Sequence, residues 1–85
     1  ILVVEDDDII QHLLVDVLEL EGYECVTATD GQTGVELART HAPDVVLMDL
    51  MLPVMSGVDA IKELRRDPAT RACCIFAMSA MANLQ

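Results

Sequence analysis

The sequence has few cations. Lys and Arg together number 5 against 15 Asp and Glu, which leaves a formal net charge of −10 over 85 residues. Proteins that bind nucleic acid or anionic membranes need a basic surface to neutralise phosphate groups. The charge balance therefore excludes direct binding of nucleic acid or of an anionic membrane by this chain.

Long hydrophobic runs and paired cysteines are also missing. No apolar run approaches the roughly 18 residues that a bilayer span requires, and acids follow residues 1–4 without the basic flank or cleavage site of a signal peptide. The odd set Cys25, Cys73 and Cys74 has no paired spacing, which excludes a disulfide framework or a zinc site. These features predict a soluble, cytoplasmic protein.

Aromatic residues are almost absent, yet 53% of the residues are hydrophobic, which predicts one globular domain. Apolar runs of strand length occupy residues 1–4, 23–28, 45–48 and 74–78. All but the second lack polar alternation, so we expect those three strands to be buried on both faces. Longer amphipathic stretches separate the runs, a pattern typical of βαβ units on a parallel sheet.

The first predicted helix begins at a cap supplied by Asp7 or Asp8 and ends near Gly22. Its apolar positions recur at helical spacing. They are Ile9, Ile10, Leu13, Leu14, Val17 and Leu18.

The second predicted helix begins after Asp30 and Gly31 and runs to about Thr40, because Pro43 forbids its continuation. The third follows Gly57 and ends near Asp67, which precedes a proline. Their apolar positions are Val35, Leu37, Ala38, Val58, Ile61 and Leu64. Right-handed crossovers then favour an α/β fold, a doubly wound parallel sheet with the flavodoxin-like strand order 2-1-3-4.

Polar residues follow three of the predicted strands at their carboxyl ends: Glu5 and Asp6 after the first, Asp49 after the third and Ser79 after the fourth. Parallel strands deliver these ends to one edge of the sheet, about 4.8 Å apart. If the first and third strands are neighbours, the acids meet in the crevice where the strand order reverses.

Gathered carboxylates repel one another, so either some are protonated or a cation lies between them. Oxygen-only ligands suit Mg²⁺, beside which a carboxylate could attack a phosphoryl group. Asp7 and Asp8 fit a simpler role at the positive end of a helix, and Ser79 could bond either phosphate or local backbone. Asp49 interrupts an apolar stretch, where an unpartnered charge is costly.

Three segments resemble the receiver domains of two-component response regulators: ILVVEDD, VVLMDLMLPVMSG and IFAMSA. The resemblance implies that Asp49 is the phosphoacceptor and that Ser79 is the switch hydroxyl. It also implies a Mg²⁺ site formed by Asp6, by Glu5 through water, by Asp49 and by the backbone carbonyl of Met51. A histidine kinase or histidine phosphotransfer protein would supply the phosphoryl group, and the domain would catalyse only its own phosphorylation and dephosphorylation.

Receiver domains also carry a fifth strand with a lysine, and two further helices, that these 85 residues lack. We therefore expect residues 1–85 to be a partial receiver domain. Its fourth strand would form an open apolar edge, which a homodimer or a domain swap could cover.

Two other functions remain open. A phosphatase of the haloacid dehalogenase type also attacks with a strand-end Asp, but it needs a second Asp two residues later, where this chain has Met51. A receiver-like interaction domain that is never phosphorylated would fit the missing lysine.

Overall fold

A computed structural model describes residues 1–78, in which four strands alternate with three helices. The elements are β1 (Leu2–Val4), α1 (Asp8–Leu20), β2 (Val26–Ala28), α2 (Gly31–His41), β3 (Val45–Asp49), α3 (Gly57–Arg66) and β4 (Cys74–Met78). All pairs of neighbouring strands are parallel, in the order β2-β1-β3-β4. The predicted fold class and strand order are confirmed.

The hydrophobic core lies between the sheet and the helices α2 and α3. Leu2 and Val4 point toward this side, and Val3 points to the opposite side, where α1 contacts β1. The core cluster consists of buried aliphatic residues and alanines from both helices and from three strands. Its members are Leu2, Val4, Ala28, Val35, Ala38, Val46, Met48, Ala60 and Leu64.

The strand β2 is shorter than the sequence predicts, because it begins at Val26 rather than at Tyr23. Among the four strands of residues 1–78, β2 pairs with β1 alone, and the ladder runs from Leu2 opposite Val26 to Val4 opposite Ala28. The length of this edge strand is therefore set by its short partner.

The helix α1 is confirmed, but its apolar stripe is not part of the core. Asp7 caps the helix, with its Oδ1 accepting hydrogen bonds from the backbone N–H of Ile9 at 2.9 Å and of Ile10 at 3.1 Å. No residue of α1 is buried, and Leu13 is 62% exposed. The stripe is wider than the surface that β1 offers, so part of it faces solvent.

The prediction that the fourth strand is buried on both faces is wrong. Every residue of β4 is exposed or half-buried, and Phe76 is 57% exposed. The reason is that β4 pairs only with β3, and within residues 1–78 no helix lies over the side of β4 that carries Phe76. Within residues 1–78, β4 therefore lies at the edge of the sheet with apolar side chains exposed, as the sequence predicts.

The ends of α2 and α3 agree with the sequence signals. After α2, Ala42 takes a left-handed conformation and its N–H bonds to the carbonyl of Ala38, just before Pro43. The helix α3 ends one residue before Asp67, whose carboxylate accepts a 2.7 Å hydrogen bond from Arg39 of α2. In the described part of the chain, no helix has the length and apolar character that a membrane span requires.

Candidate metal centre

Three acids predicted from the sequence come together at the carboxyl ends of β1 and β3. Glu5, Asp6 and Asp49 each offer a carboxylate oxygen, and these oxygens all lie within 4.8 Å of one another. Val4 pairs with Met48 in the parallel ladder, so the next residue of each chain segment, Glu5 after β1 and Asp49 at the end of β3, lies beside the other. Glu5 and Asp49 are each 5% exposed, whereas Asp6 is open to solvent.

Asp49 is held by backbone contacts on two sides. It is the last residue of β3 and pairs with Met78 of β4. The N–H of Met51 donates a 3.0 Å hydrogen bond to Asp49 Oδ1, and the N–H of Leu50 donates one of 2.9 Å to the carbonyl of Met78. The carboxylate therefore has a fixed orientation toward the other two acids.

Glu5 is held by the start of α1 and by β2. Its Oε2 accepts a 3.1 Å hydrogen bond from the N–H of Asp7, and its own N–H donates to the carbonyl of Ala28 at 3.0 Å. The side-chain amide of Gln11 donates to the carbonyls of both Glu5 and Ala28. No sequence pattern indicates this role for Gln11, since a polar residue within a helix is usually solvated.

Burial, as the largest cause, together with the neighbouring carboxyls of Asp49 and Asp6, raises the pKa of the Glu5 carboxyl to about 7, although the hydrogen bond from the Asp7 N–H opposes this shift. A buried carboxylate beside other carboxylates is costly to ionise. Near neutral pH a large fraction of Glu5 therefore holds a proton unless a cation stabilises the charged form.

The four consecutive acids after β1 divide into two pairs. Glu5 and Asp6 belong to the carboxylate cluster, whereas Asp7 caps α1 and Asp8 lies in its first turn. The predicted helix-start role of Asp7 and Asp8 is confirmed, because the cap bonds and the helix dipole account for their positions.

The other two predicted site residues are placed less fully. The N–H of Met51 bonds Asp49, and its side chain is exposed; the metal-binding role of its carbonyl stays a prediction. Ser79 lies outside the described residues, directly after Met78, and its role as switch hydroxyl also stays a prediction.

The donor set fits a hard divalent cation. It consists of oxygens only, two of its three carboxylates are buried, and one of them has a raised pKa in the absence of a counter-charge. Mg²⁺ prefers oxygen ligands and retains several waters, and the exposed Asp6 leaves one side of the cluster open for them.

The whole chain, residues 1–85, matches the family model described as the response regulator receiver domain. The fold and the acidic site are thus those of a known class of signalling domain. The chain belongs to the receiver domain family of two-component signalling.

Similar proteins that have been named or solved support this family membership. The polar-differentiation response regulator DivK of Brucella anthropi is 37% identical over 82 residues, which cover 96% of this chain and 67% of the relative. The receiver domain of the sensor histidine kinase PA1611 from Pseudomonas aeruginosa, solved with a magnesium ion in its active site cleft, is 34% identical with a TM-score of 0.91. The match covers 95% of this chain and 66% of that one.

A third relative is the N-terminal domain of a response regulator receiver protein from Methanoculleus marisnigri, 36% identical with a TM-score of 0.86. The match covers 89% of this chain and 62% of that chain. These solved structures are receiver domains with the flavodoxin-like fold, in agreement with the strand order found here. The chain spans about two thirds of the length of the relatives that it matches.

Proposed function

We propose that the protein is a phosphoacceptor module in which Asp49 receives a phosphoryl group beside a bound Mg²⁺. The observation that carries this proposal is the cluster of Glu5, Asp6 and Asp49, whose oxygens lie within 4.8 Å of one another. A structural role alone gives no reason to bury two carboxylates against each other, because their mutual repulsion destabilises the fold.

In the proposed reaction, a carboxylate oxygen of Asp49 attacks the phosphorus of a phosphorylated histidine. The new O–P bond gives an acyl phosphate, the P–N bond breaks, and the departing imidazole nitrogen keeps the electron pair and takes up a proton. The bond from the Met51 N–H to Oδ1 fixes the carboxylate, so that the attacking oxygen is oriented before the donor arrives.

Glu5, Asp6, Asp49 and the carbonyl of Met51 would hold the metal ion, with Glu5 acting through a bound water. A bound Mg²⁺ supplies positive charge that offsets the charge of the phosphoryl oxygens and of the acids around them. The solved relative with magnesium in its active site cleft supports this choice of ion.

The donor would be a histidine kinase or a histidine phosphotransfer protein, and the site of action the cytoplasm. Ser79, which follows the strand paired with Asp49, would bond the phosphoryl group and move the segment after β4. The module acts on no separate substrate: it catalyses its own phosphorylation and dephosphorylation, and its altered surface changes the affinity for a partner. The open edge of β4 could also pair with a second copy or exchange a segment with it.

Incubation with acetyl phosphate and Mg²⁺, followed by intact-mass measurement, tests the proposal. We expect the wild-type protein to gain the mass of one phosphoryl group, and we expect Asp49→Asn and a sample with EDTA to gain nothing. Asp7→Ala is the matched control, because Asp7 belongs to the same acidic run but caps α1; it should be phosphorylated like the wild type.

Other outcomes favour the two rival functions. No adduct on the wild-type protein or on a longer chain that includes it would overturn the proposal and favour an interaction domain that is never phosphorylated. An adduct that persists in Asp49→Asn would move the phosphorylation site elsewhere. Steady release of phosphate from phosphomonoesters would favour the phosphatase, although Met51 stands where that class needs a second acid.

A further inference from the structure

The loop between β3 and α3 contains a strained turn close to the acidic site. The N–H of Met55 donates a 2.7 Å hydrogen bond to the carbonyl of Pro53, which closes a γ-turn around Val54 at a φ of 68°. A γ-turn with a positive central φ is rare and strained, and a β-branched residue rarely adopts such a φ. Val54 is 86% exposed, so burial of its side chain does not compensate for the strain.

The N-terminus of α2 lies against this turn through a glycine. A Cβ on Gly31 would overlap the carbonyl oxygen of Met55 and would lie 2.9 Å from its carbonyl carbon. Asp30 caps the helix and fixes the shape of its first turn, because its carboxylate accepts hydrogen bonds from the N–H of Thr33 at 2.8 Å and from the Thr33 hydroxyl at 3.0 Å. The absence of a side chain at position 31 thus permits direct contact between helix and loop.

The same loop carries the backbone that contacts the phosphoacceptor. Its base is closed by a 3.1 Å hydrogen bond from the N–H of Gly57 to the carbonyl of Leu50, and near its start the N–H of Met51 bonds Asp49 Oδ1. Only three residues separate Met51 from Met55. A shift of the turn at Met55 therefore has few torsions over which it can be absorbed before it reaches Met51.

We propose that Gly31 is a positioning residue for the metal centre. Its backbone presses against the carbonyl of Met55, holds the γ-turn at Val54 in place, and so fixes the Met51 backbone beside Asp49. This inference rests on the proposed function, because the backbone that it fixes is the one assigned to bind Mg²⁺. Gly31, the first residue of α2, thereby supports the metal centre from outside the acidic cluster.

A pair of alanine substitutions on α2 tests the proposal. Gly31→Ala adds a methyl group against loop backbone, whereas Gly34→Ala adds the same group against the Val4 side chain, 2.8 Å from its Cγ2. We expect Gly31→Ala to weaken Mg²⁺ binding by about 10- to 100-fold, as loss of outer-shell support does. For Gly34→Ala we expect a change within about twofold after correction for the folded fraction.

A metal-free measurement separates this proposal from the proposed function. Exchange of the Met51 amide hydrogen reports directly on its bond to Asp49, and it should become faster in Gly31→Ala and not in Gly34→Ala. Unchanged protection of Met51 in Gly31→Ala would overturn the positioning role. Failure of the wild-type protein to bind Mg²⁺ would overturn the proposed function instead.

Substitutions at Val54 act on the loop from its solvent side and lose no buried contact. Val54→Pro imposes a negative φ and abolishes the turn, so it should weaken Mg²⁺ binding by about tenfold or more and speed exchange at Met51. Val54→Gly accepts a positive φ without strain and should do neither. Wild-type behaviour of Val54→Pro would show that the turn does not position Met51, even if Gly31→Ala fails to fold.

Discussion

Glu5 directly follows β1 and Asp49 ends the adjacent parallel strand β3; each is only 5% exposed, and carboxylate oxygens of the two lie within 4.8 Å of each other. Neither acid has an arginine ion pair among residues 1–78. In that part of the chain, Arg39 pairs with Glu63 and Asp67, and Arg66 pairs with Glu63. The pair is therefore unfavourable in the metal-free fold when both groups are ionised, and its energy depends on protons and cations.

Stability without metal should fall as the pH rises. The folded pKa of Glu5, about 7, is above its unfolded value of 4.5, so the folded state binds more protons between these values. The contribution of Glu5 to the free energy of unfolding is fully present below pH 4.5. It is lost as the pH rises through 7, which lowers the free energy of unfolding by about 3 kcal/mol. Urea unfolding in EDTA at pH 5 and pH 8 measures the change.

Mg²⁺ should restore the stability lost at high pH. An ion that binds only the folded state at 100 times its Kd raises the free energy of unfolding by about 2.7 kcal/mol. Asp6→Asn, which removes the exposed ligand of the cluster, should reduce this gain in urea titrations with and without Mg²⁺. An equal gain in Asp6→Asn would show that the stabilising ion binds elsewhere.

Glu5→Gln should remove most of the pH dependence, because glutamine keeps the shape of the protonated side chain without titrating. We expect the free energy of unfolding in EDTA to change much less between pH 5 and pH 8 in this variant than in the wild type. The reduction should be about 3 kcal/mol, which is the contribution of Glu5. A wild-type slope in this variant would assign the raised pKa to another group.

Asp7→Ala should separate helix capping from metal binding. Loss of an N-cap costs about 1 kcal/mol, and both cap bonds at Ile9 and Ile10 depend on the Asp7 carboxylate. Calorimetric titration should give a Mg²⁺ affinity close to that of the wild type, once the folded fraction is accounted for. A large loss of affinity would mean that Asp7 is part of the metal site.

Leu64 and Leu13 should respond differently to truncation, although both occupy apolar positions of amphipathic helices. Leu64 is fully buried, so Leu64→Ala should cost about 2–5 kcal/mol. Leu13 is mostly exposed, and Leu13→Ala should cost less than about 1 kcal/mol. Urea unfolding of both variants checks the difference, and a large cost at Leu13 would indicate that a partner covers α1 in solution.

Much of the fold could be predicted because local signals agree with it. Local signals that mark helix ends with little help from tertiary structure are the cap at Asp7, Gly22 with its φ of 92°, and the stop before Asp67. The acidic cluster follows from strand order, since Glu5 and Asp49 meet only if β1 and β3 are neighbours.

Other features depend on contacts that sequence patterns do not specify. Helical spacing marks Leu13 as apolar but does not say what covers it. Apolar runs such as the one around Phe76 do not distinguish an edge strand from a central one. The left-handed φ at Val54 opposes the intrinsic preference of valine, so no propensity could indicate it. The role of Gly31 depends on the distance to a loop far along the chain.

The central position of β1 has a consequence for the order of assembly. Leu2 pairs with Val26 on one side and with Val46 on the other. Because β1 precedes β2 and β3 in the chain, it gains its second neighbour only after β3 has been made. Formation of such non-local parallel pairs is slow, because the entropy cost of closing a long loop comes before the stabilising contacts form. A chain folded only through β2 has no Asp49 beside Glu5, and metal binding would therefore report the docking of β3 rather than an early step of folding.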